Sequence, residues 1–224
     1  MKHAETSVIR ERALASQGGF TLIEVLVVIA IISILAGLSL VGIQKGREYG
    51  ERHAVKADVT LLTASIRSFR NAWGDFPPTS LAGIRVSGNS INDGNESLFA
   101  FLLTQKHGGP FADGLPEDRW FNADLDVLTP AQRKTVLAEI QWVRGNDDLL
   151  EHVDFWGNPY VYIHSRDYGT SFRYSSRDGE PFTAQAGLNP ATGLHFAPTT
   201  FQLWSLGVDG INQNGGGDDI VSWE

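Results

Sequence analysis

The chain has 224 residues, a formal net charge of −8 and no cysteine, and 42% of its residues are hydrophobic. This length and composition predict one globular domain with attached segments and exclude a fully disordered chain. The absence of cysteine excludes a disulfide framework, thiolate metal sites and a cysteine nucleophile. The acidic balance argues against nucleic-acid binding, because that function needs a basic surface to meet the phosphates.

The first predicted element is an apolar helix near the N-terminus. The 20 residues Val25–Gln44 contain no charged side chain, and a membrane-spanning helix needs about 20 predominantly apolar residues. A buried core helix and a secretory signal peptide are the alternatives. Soluble cores rarely contain so long an uncharged run, and a signal peptide has a shorter apolar stretch before a small-residue cleavage site. The positive-inside rule leaves the orientation open, because basic residues lie on both sides.

One acid, Glu24, lies within this apolar region. A carboxylate at membrane depth costs a few kcal/mol unless it is paired, so Glu24 is a functional candidate. An interfacial glutamate that reaches the headgroups is the alternative interpretation. The segment Gly18–Glu24, with the sequence GGFTLIE, and the apolar residues after it closely resemble the class III signal of type IV pilins and type II secretion pseudopilins.

This resemblance implies a processing site and an assembly residue. Residues 1–19 would be a prepilin leader that prepilin peptidase removes by cutting after Gly19. Phe20 would then be N-methylated, and residues 20–44 would remain as the transmembrane and polymerisation helix. Glu24 would pair with the N-terminal amine of a neighbouring subunit and set the axial register, since two opposite charges that are costly alone are tolerable together in a low-dielectric bundle.

The helix is predicted to continue through residues 45–73 as an amphipathic segment. Its apolar residues recur every three or four positions, and a polar face lies between them. A coiled-coil seam is possible, but a stripe of only three heptads favours packing on a globular head. The segment Gly74–Pro78 predicts the end of the helix. The stripe comprises Val55, Val59, Leu62, Ile66, Phe69 and Trp73, and the polar face includes Lys56, Asp58, Arg67 and Arg70.

Residues 79–150 are interpreted as a variable insertion, because this segment is longer than the resembled family's compact heads lead us to expect. The apolar patch Leu98–Leu103 predicts a short helix that ends near Gly108. The polar residues 92–96 before it are predicted to be a loop. This loop could bind a cation, but the favoured interpretation is a solvated segment at the start of the helix.

A second helix of the insertion begins at Thr129–Gln132. Thr is a good N-cap, Pro suits the first helical position, and Gln closes a capping box. The apolar residues that follow at helical spacing predict a helix that ends at Gly145.

Residues 154–224 are predicted to form a short antiparallel sheet, because the connections are too brief for parallel crossovers. The segment Asp154–Tyr160 predicts a turn that enters a strand, and it resembles the D-x-W-G-x-x-Y motif of pseudopilins. Further strands are predicted at Phe172–Tyr174 and Thr200–Trp204, with a loop at Ser175–Pro198 between them. The expected fold is therefore α+β and pilin-like, with a long N-terminal helix packed on a small antiparallel sheet.

The last 20 residues, Ser205–Glu224, contain four acids and neither lysine nor arginine, so their net charge is −4. Acids this close repel one another unless they are solvated, protonated or bridged by a cation. Hard cations such as Ca²⁺ take carboxylate and carbonyl oxygens, and a glycine-rich loop leaves carbonyls free to turn inward. The spacing excludes an EF-hand and a phosphate loop. A solvated acidic turn is an equally good interpretation of the residues alone.

The pattern S-L-G-x-D-G, followed by D-D-I-x-x-W, resembles the C-terminal calcium loop of type II secretion pseudopilins. The resemblance implies a structural Ca²⁺ with both carboxylate and backbone ligands, and such an ion would replace the missing disulfide as the staple of the loop. The implied ligands are the side chains of Asp209, Asp218 and Asp219 and the carbonyls of Leu206 and Ile211.

An enzymatic function is not predicted. The sequence has no G-x-S-x-G elbow and no H-E-x-x-H motif, and its six histidines are scattered without ligand-like spacing. The resemblance instead implies a structural subunit of the type II secretion pseudopilus, which polymerises to drive protein export across the outer membrane.

The same resemblance implies partners and a location. The partners would be further copies of this chain, minor pseudopilins, prepilin peptidase and the inner-membrane assembly platform. The chain would cross the bacterial inner membrane once, with its head in the periplasm. A type IV pilin or a DNA-uptake pseudopilin is the alternative, because the N-terminal signal is shared. The calcium-loop pattern and the lack of cysteine favour secretion.

Overall fold

The computed structural model describes residues 19–86, 88–112, 114–141 and 148–223. The predicted leader up to residue 18 lies outside these residues, and so does the predicted helix end at Gly145. The chain divides into two compact units, Met1–Arg47 and Glu48–Glu224.

A single helix, α1, spans Leu22–Trp73 and passes through both units. It begins two residues later than predicted, because Thr21 is its N-cap. The Thr21 amide and hydroxyl donate to the Glu24 carboxylate at 2.8 and 2.7 Å, and the Glu24 amide donates to the Thr21 hydroxyl at 3.3 Å. This reciprocal arrangement is a capping box. The helix ends at Trp73 as predicted, before Gly74 with φ of 86°.

The apolar side chains of the first unit are exposed along α1; Leu26, for example, is 55% accessible. In the part of the chain that the structure describes, no helix meets the length and hydropathy expected of a membrane span. The transmembrane assignment of residues 20–44 stays a prediction.

In the second unit, the predicted apolar stripe of α1 packs into the core of the head. The first five residues of the stripe are at most 3% exposed. The sixth, Trp73, is partly buried and packs against the same cluster. Full burial of each such side chain contributes about 1.5–3 kcal/mol. The interpretation as a packing face is therefore confirmed. The prediction is wrong for one residue of the polar face. Asp58 is buried, with only 8% of its surface exposed.

The head combines helices with small antiparallel sheets, which confirms the predicted α+β fold class. The helices are α2, Asp93–Leu102, and α3, Pro130–Glu139, with short 3-10 helices at Leu81–Ile84, Glu117–Arg119 and Ser165–Asp167. The strands are β1, Trp120–Phe121; β2, Glu151–His152; β3, Val161–His164; β4, Phe172–Ser175; β5, Pro181–Ala184; β6, Phe201–Ser205; and β7, Ile220–Val221. Strand β3 pairs with β6 and β6 with β7, while β1 pairs with β2 and β4 with β5.

The predicted loop Ser175–Pro198 is wrong in part, since it contains β5. Strands β4 and β5 form a hairpin. Two backbone hydrogen bonds close its turn, from the Ser176 amide to the Glu180 carbonyl and from the Gly179 amide to the Ser176 carbonyl. Gly179 has φ of 81°, a conformation that favours glycine. The Asp-Gly pair at this turn is the sequence signal that identifies such a hairpin.

The predicted loop at residues 92–96 is also wrong, because α2 begins at Asp93 and already ends at Leu102. The polar start of the helix is buried rather than solvated. The Asn95 side chain donates to the carbonyls of His152 and Tyr160 at 2.9 and 2.7 Å. Hydrogen bonds to segments far away in sequence thus stabilise this polar segment as part of the helix.

Helix α3 has the predicted start. The Gln132 side chain accepts from the Thr129 amide at 2.9 Å, and the Thr129 hydroxyl accepts from the Gln132 amide at 3.3 Å. The capping box is therefore confirmed. The helix ends at Glu139, earlier than predicted, and its inner face is formed by Val136 and Ile140.

Candidate functional site

The predicted processing site lies at the start of α1. Gly19 and Phe20 precede the helix in irregular backbone, and the Phe20 side chain is 84% exposed. The bond between them therefore lies outside any helical hydrogen-bonding pattern. The predicted assembly residue, Glu24, occupies the third position of the helix and caps it through Thr21, so the same carboxylate serves the helix start of its own chain.

The C-terminal loop follows β6 and closes back onto its own beginning. Asp218 accepts a hydrogen bond from the Val208 amide at 2.9 Å and lies 3.7 Å from the Arg52 guanidinium. Gly207 permits this closure, because its φ is 70° and a Cβ there would lie 2.5 Å from the Asp218 carboxylate. Asp218 is therefore held against the start of the loop and against α1.

Gln213 connects the three predicted acidic ligands, although no sequence pattern singled it out. Its side-chain amide donates to Asp209 at 3.4 Å, and its side-chain oxygen accepts from the Asp218 amide at 2.9 Å. Its own backbone amide donates to Asp219 at 3.1 Å, and Gly215 adds a bond to the same carboxylate at 2.7 Å. The loop is thus organised around one neutral side chain.

Two carboxylate oxygens of this loop fit a cation. The Oδ1 atoms of Asp218 and Asp219 are buried and find no hydrogen-bond partner among the described residues. Burial raises the pKa of Asp219 to about 7, and the charges of Asp218 and Asp209 add to the rise. Unsatisfied carboxylate oxygens of this kind are the ligands that a hard cation takes. Of the two predicted carbonyl ligands, Leu206 is buried and Ile211 is 61% exposed.

The Asp154 motif has a structural role beside this loop. The Asp154 carboxylate accepts from the Trp156 and Asn158 amides at 2.9 Å each and from the Ser205 hydroxyl at 2.7 Å. The Trp156 indole donates to Glu51 of α1 at 3.2 Å. The motif therefore fastens the turn to β6, where the C-terminal loop begins, and to α1.

A second acidic group lies in the insertion and was not predicted from the sequence. It consists of Glu96 on α2 and of Asp124 and Asp126 in the loop after β1. One oxygen of each lies within 4.8 Å of the other two, and among the described residues no other set of three acids or histidines meets this distance. The predicted calcium-loop acids are not brought together in this way.

Burial and like charges dominate the electrostatics of this group. Burial raises the pKa of Glu96 to about 11, and the neighbouring carboxylates Asp126, Glu151, Asp124 and Asp93 all add to the rise. Burial similarly raises the pKa of Asp126 to about 6 and that of Glu151 to about 8. The available signal in the sequence is the alternation Asn122, Asp124, Asp126, a spacing of oxygen-bearing side chains that also occurs in calcium loops.

The family described as "Prokaryotic N-terminal methylation motif" matches residues 14–40, which include the predicted cleavage site and Glu24.

Two curated proteins are similar to the chain. The type II secretion system core protein G of Klebsiella pneumoniae is 26% identical over 125 residues, which are 54% of this chain and 80% of the relative. The protein of the same name from Klebsiella michiganensis is 28% identical over 126 residues, which are 52% of this chain and 77% of that relative. Together with the methylation motif, these matches confirm the resemblance to type II secretion pseudopilins.

The chain is also similar to a solved structure, described as the crystal structure of the major pseudopilin from the type 2 secretion system of enterohaemorrhagic Escherichia coli. The sequence identity is 15% and the TM-score is 0.33, with coverage of 80% of this chain and 92% of that chain.

Proposed function

We propose that this chain, a type II secretion pseudopilin by its methylation motif and its curated relatives, is the main structural subunit of a pseudopilus. The observation that carries the proposal is the methylation motif placed directly at the start of a 52-residue helix. Removal of residues 1–19 would leave this helix at the new N-terminus. The subunit would then polymerise with further copies of itself and with minor pseudopilins.

The apolar half of α1 supplies the surface for this assembly. Its large side chains are exposed in the isolated chain, and the 20 residues Val25–Gln44 carry no charge. Such a surface requires a lipid or protein environment. We place it in the bacterial inner membrane before assembly, with the head in the periplasm, and in the centre of the filament afterwards.

Replacement of Glu24 by glutamine is expected to block assembly while leader removal proceeds. Glutamine can still accept from Thr21 and close the capping box, so the helix start is kept and only the charge is lost. Assembly is measured by amine-reactive cross-linking of the pseudopilus in the bacterium that encodes the chain. Leader removal is measured from the mass of the subunit. Glu48→Gln, an exposed acid of the same helix, is the matched control.

Two results would contradict this proposal. Normal polymerisation of Glu24→Gln would show that the carboxylate charge has no role in assembly. If deletion of the gene left secretion intact but abolished adhesion or DNA uptake, the result would instead support the type IV pilin or uptake alternative.

A structural Ca²⁺ in the C-terminal loop is part of the proposal. The buried, unpartnered Oδ1 atoms of Asp218 and Asp219 support it, as does the mutual repulsion of the loop acids. Asp209 and the carbonyls of Leu206 and Ile211 would complete the oxygen ligands. The ion would neutralise the loop and hold it on β6 and α1.

Asp218→Asn and Asp209→Ala are each expected to weaken Ca²⁺ binding by the full-length chain in detergent and to reduce the rise in Tm that Ca²⁺ produces. At a Ca²⁺ concentration of 100 times Kd, one site stabilises the folded state by about 2.7 kcal/mol. The measurement is thermal unfolding in Ca²⁺ and in EGTA. Asp178→Asn is the control, because this acid is exposed and lies outside the loop. An unchanged calcium response in both loop variants would disprove the ligand assignment.

A further inference from the structure

The acidic group of the insertion contains a buried carboxylate that the protein does not satisfy. Glu96 is only 2% exposed, and its Oε1 atom has no hydrogen-bond partner among the residues that the structure describes. A buried polar atom without a partner destabilises the folded state, and a charged one does so more strongly. The carboxylate reaches the loop after β1, where its oxygen lies within 4.8 Å of oxygens of Asp124 and Asp126.

The two aspartates are each half satisfied by the protein. Asp126 accepts from the Asn89 amide through Oδ2 at 3.3 Å, and Asp124 accepts from the Asp126 amide through Oδ1 at 3.4 Å. The other oxygens, Oδ1 of Asp126 and Oδ2 of Asp124, are buried and have no hydrogen-bond partner in the described part of the chain. Within that part, the group therefore presents three buried oxygens without donors, one from each carboxylate.

Surrounding residues hold the two aspartates in place. Glu151 accepts from the Ala123 amide at 2.8 Å and from the Asn92 side chain at 3.0 Å, so both of its oxygens are used and the loop is tied to β2 and α2. Gly88 leaves room for Asp126, since a Cβ there would lie 2.0 Å from its Oδ2 atom. The carboxylates are thus positioned by the fold rather than free to move apart into solvent.

We propose that Glu96, Asp124 and Asp126 bind a hard divalent cation of the Ca²⁺ class, at a site separate from the C-terminal loop. Carboxylate oxygens are the ligands that Ca²⁺ prefers, and its flexible coordination accepts water in the remaining positions. The cation supplies the missing partner of the Glu96 carboxylate and neutralises a cluster of like charges. It also ties α2 to the loop after β1, which gives the insertion a defined role as a second calcium-stabilised part of the head.

The test measures Ca²⁺ stoichiometry on the full-length chain in detergent after treatment with EGTA. The parent for this test carries Asp209→Ala and Asp218→Asn, so that the proposed loop site is silenced. This parent is expected to bind about one Ca²⁺ per chain by calorimetric titration. Glu96→Gln in the parent should abolish that binding, and Asp126→Asn should do the same. Glu139→Gln, an exposed glutamate of α3, is the matched control and should bind like the parent.

A folding defect is separated from a binding defect by the Tm in EGTA. Glutamine at position 96 removes charge repulsion and keeps the side-chain size, so the Tm without Ca²⁺ should not fall below that of the parent. Hydrogen exchange of residues 120–126 should slow when Ca²⁺ is added to the parent and should not respond in Glu96→Gln. The proposal is overturned if the parent binds no Ca²⁺, or if both cluster variants retain the parent's stoichiometry and hydrogen-exchange response.

Discussion

Replacement of Asp58 by alanine is expected to lower the free energy of unfolding by about 2–3 kcal/mol, because the change leaves a partly buried guanidinium without its counter-charge and hydrogen-bond acceptor. Both terminal nitrogens of Arg119 donate to the Asp58 carboxylate, one of them at 3.0 Å, and the Tyr160 hydroxyl donates to it at 3.2 Å. The two charged side chains are only 12% and 19% exposed. This ion pair connects α1 to the segment that leads into β1.

Chemical denaturation of the full-length chain in detergent measures this effect. The double change of Asp58 and Arg119 to leucine removes both charges, and it is expected to cost less than Asp58→Ala alone. Asp178→Ala is the control, since its pair with Arg177 is exposed and should contribute about 0–1 kcal/mol. A loss of under 1 kcal/mol for Asp58→Ala would show that the ion pair has no role in holding the insertion to α1.

Acidification from pH 7 to 4 is expected to remove about 3 kcal/mol of stability through His152 alone. Burial lowers the pKa of His152 to about 4, and the positive charge of Arg119 acts in the same direction. The unfolded chain, with an ordinary histidine pKa of about 6.5, takes up a proton in this interval and the folded chain does not. The contribution is therefore complete above pH 6.5 and is lost as the pH falls towards 4.

The difference between the wild type and His152→Phe isolates this effect. Phenylalanine keeps the ring stacked on both Phe99 and Tyr160. Within the described part of the chain, neither ring nitrogen of His152 has a hydrogen-bond partner to lose. Buried acids such as Asp154, with a pKa raised by burial to about 6, change stability in the opposite direction on acidification. They do so in both proteins, so their contribution cancels. The variant should gain about 3 kcal/mol relative to the wild type between pH 7 and 4. An equal difference at both pH values would contradict the assignment.

The sequence alone identified the features that depend on neighbours along the chain. The N-terminal motif, the apolar stripe of α1, the capping box at Thr129 and strands β3, β4 and β6 are all local patterns of spacing or side-chain chemistry. They are readable because helix and strand periodicity place nearby residues on one face. The prepilin-like signal was specific enough to indicate the family and the proposed function.

Only the tertiary structure decided how polar side chains are distributed between solvent and core. Asp58 has the spacing of a solvent-facing residue, yet it is buried by Arg119 from a distant part of the chain. Glu96 was predicted to lie in a solvated loop, and the loop after β1 places Asp124 and Asp126 against it. Local periodicity contains no information on such pairings, because the burial of a charged group depends on partners supplied by segments far away in sequence. The sequence thus determined the long helix and indicated the resemblance to pseudopilins, and the packing of the insertion brought the second acidic group together.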